Sequence, residues 1–323
     1  MKTIKNLSIA IFIMTMLVNC SNSQNDKPVV YMTKDISPEG LVKVYEALGV
    51  KPEGKVAVKI STGEPGGKNY LKPELIKDLV QKVNGTIVEC NTAYAGRRNT
   101  NEEHWKTFEE HGFMAIAPCD LMDEDGEKKI PVKDTTHIKY NLVGDHIDNY
   151  DFMINLAHFK GHAMGGFGGV LKNQSIGVAS SNGKAYIHTA GKTADKNLIW
   201  KMNRDVSQDH FIEAMAAAAQ SVHDYFDGKI LYINVMNNLS VDCDCDSHPA
   251  APEMNDVGIL ASTDPVALDQ ACVDLVFNYP SQEGDDAKAL IERINSRHGV
   301  HIIEHSEAIG LGSREYVLKN IDE

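Results

Sequence analysis

Residues 209–235 read DHFIEAMAAAAQSVHDYFDGKILYINV. The alanine-rich part, Asp209 to Phe226, predicts a long α-helix, because alanine has the highest helix propensity of all residues. The next part, Lys229 to Val235, is apolar and rich in β-branched residues, which predicts a buried strand. A helix that leads directly into such a strand is the building unit of a parallel sheet covered by helices.

The same alternation of helix and strand recurs along the chain. Asp264 and Pro265 have the residue types of a helix N-cap and first turn. The other predicted strands are Lys55–Ile60, Thr86–Asn91, Tyr150–Leu156 and Gly258–Ala261, and the other predicted helices are Pro73–Val83, Glu102–His111 and Asp264–Leu275. The pattern predicts the α/β fold class, with a largely parallel sheet flanked by helices on both faces.

The first twenty residues differ from the rest of the chain. Lys2 and Lys5 precede a short apolar run, which is typical of a secretory signal and too short for a stable membrane span. The run ends in LVNC (17–20), which resembles the bacterial lipoprotein box that ends in a lipidated cysteine. We therefore expect residues 1–20 to be a lipoprotein-type signal peptide, with Cys20 as the lipidated residue.

The rest of the chain divides at the end of a short polar segment. Residues 21–27 (SNSQNDK) are expected to be a polar tether between the anchor and the fold. Residues 28–323 contain no repeat and no clear linker, and we expect a single α/β domain. The predicted location is outside the cytoplasm, as a membrane-anchored lipoprotein that faces the periplasm or the cell surface.

The net charge limits the classes of partner. The chain carries a formal net charge of −13, which disfavours nucleic acid and anionic membrane surfaces. We expect no nucleic-acid partner, and contact with a membrane only through the lipid anchor. The chain has six cysteines, and with Cys20 assigned to the anchor an odd number remains, which argues against a disulfide framework but leaves one or two bridges open.

Two glycine-containing or basic segments follow predicted strands. Residues 63–69 (GEPGGKN) could bring backbone amides close to an anion, with Lys68 neutralising its charge, or form an ordinary flexible turn. Residues 91–98 (NTAYAGRR) end in Arg97 and Arg98, which suit a carboxylate or phosphate, although surface ion pairing explains such residues equally well.

A third segment, residues 158–173 (HFKGHAMGGFGGVLKN), combines histidines with many glycines. Histidines four residues apart can bind one metal from a helix, but the glycines argue against a regular helix here. The glycines indicate that backbone, rather than side chains, comes close to something, and five of them between Gly161 and Gly169 are hard to explain as packing. Candidate metal ligands are His158, His162 and His188, and candidate anion contacts are Lys160, Lys172 and Asn173.

The fourth segment, residues 238–249 (NLSVDCDCDSHP), holds Cys243 and Cys245 two residues apart. Thiolates are soft ligands that favour zinc, copper(I) or iron. The surrounding aspartates disfavour thiolate formation without a metal, and a disulfide across so short a span would be labile and redox-active. A metal site, a redox disulfide and no role therefore all remain open from the spacing alone.

The chain resembles the domain-of-unknown-function family numbered 362, whose members are often labelled iron–sulfur centre proteins. The resemblance rests on GEPGGKNYLKPELI, NTAYAGRRNTNEEHWKTFEEHGF, NLAHFKGHAMGGFGGVLKNQSIG and CDCDSHPAAPEMNDVGILASTDPVALDQA, which occur in this order. Many relatives carry a ferredoxin-like insertion between the glycine-rich segment and the alanine-rich helix. Here the interval from Ser180 to Gln208 contains no cysteine, so a ferredoxin-type [4Fe–4S] cluster is not supported.

Together these features predict a lipid-anchored, metal-binding α/β protein with a redox or small-anion site. Cys243 and Cys245 would bind a metal, iron or zinc, with His158 or His162 completing the shell and His188 in reserve. The anion pocket would be lined by Arg97, Arg98, Lys160, Lys172, Asn173 and Lys68. The alternatives are a non-catalytic lipoprotein that binds an anionic small molecule, and a thiol-based partner in electron transfer.

Overall fold

The computed structural model describes residues 27–322. The predicted signal peptide, Cys20 and nearly all of the predicted tether lie outside these residues. Among the described helices, none combines the length and the apolar character that crossing a membrane requires.

Within residues 27–322 the chain forms twelve strands and ten α-helices. The strands are β1 (Val29–Thr33), β2 (Val56–Lys59), β3 (Thr86–Glu89), β4 (Cys119–Leu121), β5 (Glu127–Ile130), β6 (Asn141–Gly144), β7 (Phe152–His158), β8 (Lys160–His162), β9 (Gly166–Gly168), β10 (Ile230–Met236), β11 (Gly258–Ser262) and β12 (Val317–Asn320). The helices are α1 (Pro38–Ala47), α2 (Pro73–Lys82), α3 (Asn101–Glu110), α4 (Val170–Val178), α5 (Ser181–His188), α6 (Ile199–Met202), α7 (Gln208–Tyr225), α8 (Pro265–Phe277), α9 (Lys288–Ser296) and α10 (His301–Ala308).

Eight strands form the central sheet, in the order β12-β1-β11-β10-β7-β2-β3-β4. The run from β10 through β7, β2 and β3 to β4 is parallel throughout, and β11 is antiparallel to both of its neighbours. This confirms the predicted largely parallel α/β sheet. Because parallel strands end at the same edge, the residues that follow β2, β3 and β7 meet there.

Helices cover both faces of the sheet, as predicted. Successive residues of β10 alternate between two hydrophobic clusters, with Tyr232 in one and Ile233 in the other. The first cluster packs beneath α4, α5, α7, α8 and α10, and the second beneath α1, α2 and α3. A strand buried on both faces has to be apolar almost throughout, which is why β7 and β10 read as continuous apolar runs in the sequence.

The glycine-rich segment after β7 forms a hairpin instead of a helix. Strands β8 and β9 pair antiparallel, with Gly161 opposite Phe167, and α4 begins directly after them. The carboxylate of Asp269, on α8, accepts hydrogen bonds from the backbone N–H groups of Val170 and Leu171, both at 3.0 Å. A side chain from a distant helix therefore caps the first turn of α4.

Candidate functional site

A cavity of about 230 Å³ lies at the edge of the sheet where β2, β3 and β7 end. Helices α4 and α5 and the loop that follows β10 close it. Its lining residues are Lys59, Ser61, Glu89, Cys90, Thr92, Ala93, Tyr94, Arg98, His162, Ala163, Met164, Lys172, Asn173, Ile176, Gly177, Lys184, His188, Ile199, Trp200 and Cys245. Most of the lining is apolar, and the polar groups are concentrated on the wall formed by the strand ends.

The polar wall is built around the buried carboxylate of Glu89, the last residue of β3. Lys59 Nζ lies 3.3 Å from one carboxylate oxygen, and Arg98 Nη1 lies 3.4 Å from the other. Burial opposes ionisation of Glu89, but the nearby cations Lys59 and Arg98 outweigh it and hold the pKa well below its usual range. Lys59 also donates to Asn173 Oδ1 at 3.2 Å, so β2, β3 and α4 are joined by one network.

The first turn of α4 presents Lys172 to the cavity. Within the part of the chain that the structure describes, its amine has no hydrogen bond or ion pair. Burial, followed by repulsion from Lys160 and Lys59, lowers the pKa of Lys172 to about 7. At pH 7 this amine is therefore partly protonated, and among the described residues no carboxylate forms an ion pair with it.

The cysteine pair lies at the rim of the same cavity. The Sγ atoms of Cys243 and Cys245 are bonded to each other, Cys243 is buried, and Cys245 forms part of the cavity wall. His162 and the two cysteines each offer a ligand atom within 4.8 Å of the others. Two sulfurs and one imidazole form a donor set that zinc accepts, provided that both sulfurs are thiolates.

The hydrogen bonds of His162 decide whether its ring has a free lone pair for a metal. Its Nδ1 accepts from the backbone N–H groups of Met164, at 3.2 Å, and Gly165, at 2.9 Å. Burial, followed by repulsion from Lys172, lowers the pKa of His162 well below its usual value, so the ring is neutral. With the lone pair of Nδ1 engaged, the single proton lies on Nε2, which makes that nitrogen a donor and not a ligand. The site as it stands fits a disulfide better than a resident metal.

Asp244, between the two cysteines, holds their loop against the sheet. Its carboxylate accepts from His158 Nδ1 at 2.9 Å and from Lys160 Nζ at 2.6 Å, and all three side chains are buried. His158 Nε2 lies 2.6 Å from the carbonyl oxygen of Asn237. Both partners of the ring are acceptors, so both ring nitrogens donate and His158 is not available to a metal.

Close backbone approach explains three of the glycines in the glycine-rich segment. A Cβ on Gly161 would lie 2.2 Å from the carbonyl oxygen of Val241, in the cysteine loop, and one on Gly169 would lie 2.2 Å from the Asp269 carboxylate. A Cβ on Gly166 would lie 2.8 Å from the Cα of Gly299. These contacts are with the protein itself, so the expectation that the glycines are hard to explain as packing is corrected for these three positions.

The structure brings together some of the predicted site residues and separates others. Arg98, His162, Lys172, Asn173, His188 and Cys245 share the cavity wall. Arg97 points away and pairs with Glu103 and Glu110 at the surface. Lys68 is exposed on its loop, and Lys160 is occupied by Asp244.

His188 lies in the cavity wall, where its Nδ1 contacts the carbonyl oxygen of Lys184 at 2.7 Å. Burial lowers its pKa to about 4 despite that backbone contact, so the ring is neutral.

Three charged residues of the wall were missed in the sequence, namely Lys59, Glu89 and Lys184. Lys59 ends β2 after three apolar residues, and Glu89 ends β3 after Ile87 and Val88. A charged residue at a fully buried strand position is itself a signal, because burying a charge requires a partner. Lys184 donates to the carbonyl oxygen of Ala179 at 2.6 Å, and no pattern around it in the sequence points to the cavity.

Fold and site define an α/β protein with a cationic cavity beside a cysteine pair. Residues 56–274 match the family described as "Domain of unknown function (DUF362)", and the chain belongs to that family. This confirms the resemblance seen in the sequence.

Two solved structures resemble the chain at low sequence identity. One is the lactate racemase apoprotein from Thermoanaerobacterium thermosaccharolyticum, with 14% identity and a TM-score of 0.41 over 76% of this chain and 56% of that one. The other is a protein from Thermotoga maritima, with 12% identity and a TM-score of 0.40 over 84% of this chain and 58% of that one. The chain thus spans less than two-thirds of the length of either protein. No protein of curated function matches it in sequence.

Proposed function

We propose that the protein binds anionic small thiols in the cavity and exchanges electrons with them through the Cys243–Cys245 pair. The observation that carries the proposal is that Cys245 lies in the wall of a cavity that also holds the unpaired amine of Lys172. An anionic group fits next to Lys172, because this amine has no carboxylate partner among the described residues. The apolar part of the lining suits the body of such a molecule.

The proposed reaction is thiol–disulfide exchange. The thiolate of the bound molecule attacks Cys245 Sγ, a mixed disulfide forms, and Cys243 leaves as a thiolate. A second molecule of the thiol then attacks the mixed disulfide, which releases the small-molecule disulfide and leaves both cysteines reduced. The backbone N–H of Cys245, which donates to Cys243 Sγ at 3.3 Å, is in place to stabilise the departing thiolate.

Thiols of different charge test this function. Glutathione should reduce the pair faster than cysteamine, a cationic thiol, by about tenfold or more, because of electrostatic attraction to the cavity. Lys172→Met should remove most of that preference, and Lys68→Met, which alters an exposed lysine outside the cavity, should leave it intact. The readout is the rate of thiol appearance, measured by alkylation and mass spectrometry. Equal rates for both thiols in the unmodified protein would refute the proposal.

A second candidate, metal binding at the reduced pair, is favoured by the 4.8 Å grouping of His162 with the two cysteines. It requires reduction of the disulfide and a free lone pair on the imidazole nitrogen of His162 that faces the sulfurs. The reduced protein, purified without an affinity tag, should then bind one equivalent of zinc or iron that Cys243→Ser combined with Cys245→Ser abolishes. Substoichiometric metal that the double variant leaves unaltered excludes this candidate.

We also propose that the protein is exported and anchored through a lipid on Cys20. The support is the charged and apolar N-terminal sequence, which lies outside the described residues. Mass spectrometry of the mature N-terminus should find a lipidated Cys20, and Cys20→Ser should release the protein from the membrane fraction. An unprocessed N-terminus on the native protein would contradict the proposal.

A further inference from the structure

A second group of metal-binding side chains lies outside the cavity, where α10 packs on α7. Helix α10 begins with HIIEH, in which His301 and His305 are four residues apart and therefore share one face of the helix. Glu213, on α7, lies opposite them. One ligand atom from each of these three residues lies within 4.8 Å of the others.

The histidines of this group each direct Nε2 at a carboxylate. His301 Nε2 lies 2.9 Å from one oxygen of Glu213, and His305 Nε2 lies 2.9 Å from an oxygen of Asp134. His137 Nε2 lies 2.5 Å from the second oxygen of Glu213. Three imidazoles and two carboxylates, from three separate parts of the chain, therefore converge on one small region.

We propose that Glu213, His301 and His305 bind a zinc ion. Two imidazoles and one carboxylate are a donor set that zinc uses with a water molecule in the fourth position. In this site the metal would replace the hydrogen bonds that now join the two histidines to the carboxylates. Asp134 contacts His305 Nε2 beside the site, and His137 holds the second oxygen of Glu213 so that the first points at the metal.

The surroundings suit an ion that reaches its site from solvent. The side chains of Glu213 and His301 are each 21% exposed and that of His305 is 19% exposed, so water reaches the ligands while most of each side chain is held by packing. Glu304 contacts His301 Nδ1 at 3.4 Å, and such a carboxylate partner orients a metal-binding imidazole. A bound ion would join α10 to α7 and stabilise the folded chain by mass action.

Zinc binding to the oxidised protein tests the site. In that form the sulfurs of the cysteine pair are joined and do not compete for the metal. The protein is purified without a polyhistidine tag, treated with a chelator and titrated with Zn²⁺ by calorimetry. We expect one equivalent bound, and at least tenfold weaker binding in His301→Gln and in His305→Gln. His146→Gln is the matched control, because His146 also contacts two carboxylates, from Asp120 and Asp125, but has no second histidine beside them.

Cobalt gives a second readout that does not depend on affinity. The Co²⁺-loaded protein should show the visible absorption of a low-coordinate site without a thiolate charge-transfer band, and circular dichroism of each metal-free variant verifies that it is folded. Binding that survives both histidine substitutions overturns the proposal. A loss in His298→Gln and His301→Gln but not in His305→Gln would also overturn it, because the ion would then be held by the group His298, His301 and Glu304.

Discussion

Replacing Asp244 by asparagine should destabilise the protein more than any other single change in the cysteine loop. The side chain of Asp244 is 1% exposed and is paired with two buried cations, His158 at 2.9 Å and Lys160 at 2.6 Å. Burial opposes ionisation of this carboxyl, but Lys160 and His158 outweigh it and hold the pKa well below its usual range. The change leaves the size of the side chain nearly the same and removes only the charge.

The magnitude follows from the two cations that lose their partner. Removing one member of a buried ion pair costs about 3–5 kcal/mol, because the remaining charge stays buried without compensation. The new amide can still accept one hydrogen bond, from Lys160 or from His158, but its NH₂ group faces the other donor. We therefore expect a loss of about 4 kcal/mol in the free energy of unfolding.

Urea unfolding at pH 7, followed by far-UV circular dichroism on the oxidised protein, measures this loss. Asp246→Asn is the matched control, because Asp246 lies two residues away in the same loop and is exposed. Among the described residues, its carboxylate accepts one hydrogen bond, from the backbone N–H of His248. It should cost less than about 1 kcal/mol. If the two variants are equally stable, the buried ion pairs do not hold the loop, and the reasoning about His158 as a structural residue is wrong.

Three further changes test other parts of the site. The affinity of the cavity for sulfate should fall as the pH rises through about 7, because Lys172 loses its charge there. In Lys172→Met the affinity should not depend on pH, and calorimetry at pH 6 and pH 8 measures both proteins. Gly161→Ala should lower the free energy of unfolding by about 3 kcal/mol, because the new Cβ would lie 2.2 Å from the Val241 carbonyl oxygen. Gly168→Ala, whose Cβ would lie 4.0 Å from its nearest atom, should cost far less; thermal unfolding compares the two variants. Burial raises the pKa of Asp269 to about 6, so the stability that this carboxyl contributes is present below about pH 4 and is lost as the pH rises through 6. The free energy of unfolding, measured across that pH range, should therefore change less in Asp269→Asn than in the unmodified protein.

The helix and strand pattern was largely predictable from the sequence. The predicted strand Tyr150–Leu156 and helix Asp209–Phe226 are the observed β7 and α7 within about two residues. Both have composition signals that local physics sets, namely a continuous apolar run and a run of alanines. The β8–β9 hairpin was not predicted, because strands of three residues that are interrupted by glycine have no such signal.

The composition of the site was predictable only in part. Arg97 and Arg98 are identical residues at adjacent positions, yet Arg98 is buried beside Glu64 and Glu89 while Arg97 forms surface ion pairs. His158 and His162 likewise read as equivalent ligands, and their hydrogen bonds give them different protonation states. Residue type predicted which chemistry each side chain offers, but not which partner occupies it.

The sequence by itself determined the α/β class and the family, because periodicity and residue type act over a few neighbouring positions. It also determined that cysteines, histidines and basic residues would follow strands. Only the tertiary structure decided that Lys59, Glu89 and Lys172 meet in one cavity and that Asp244 holds the cysteine loop through His158 and Lys160. Charge pairing and burial depend on contacts between residues far apart in the chain, so the state of each group at the site follows from the packing of the sheet and its helices.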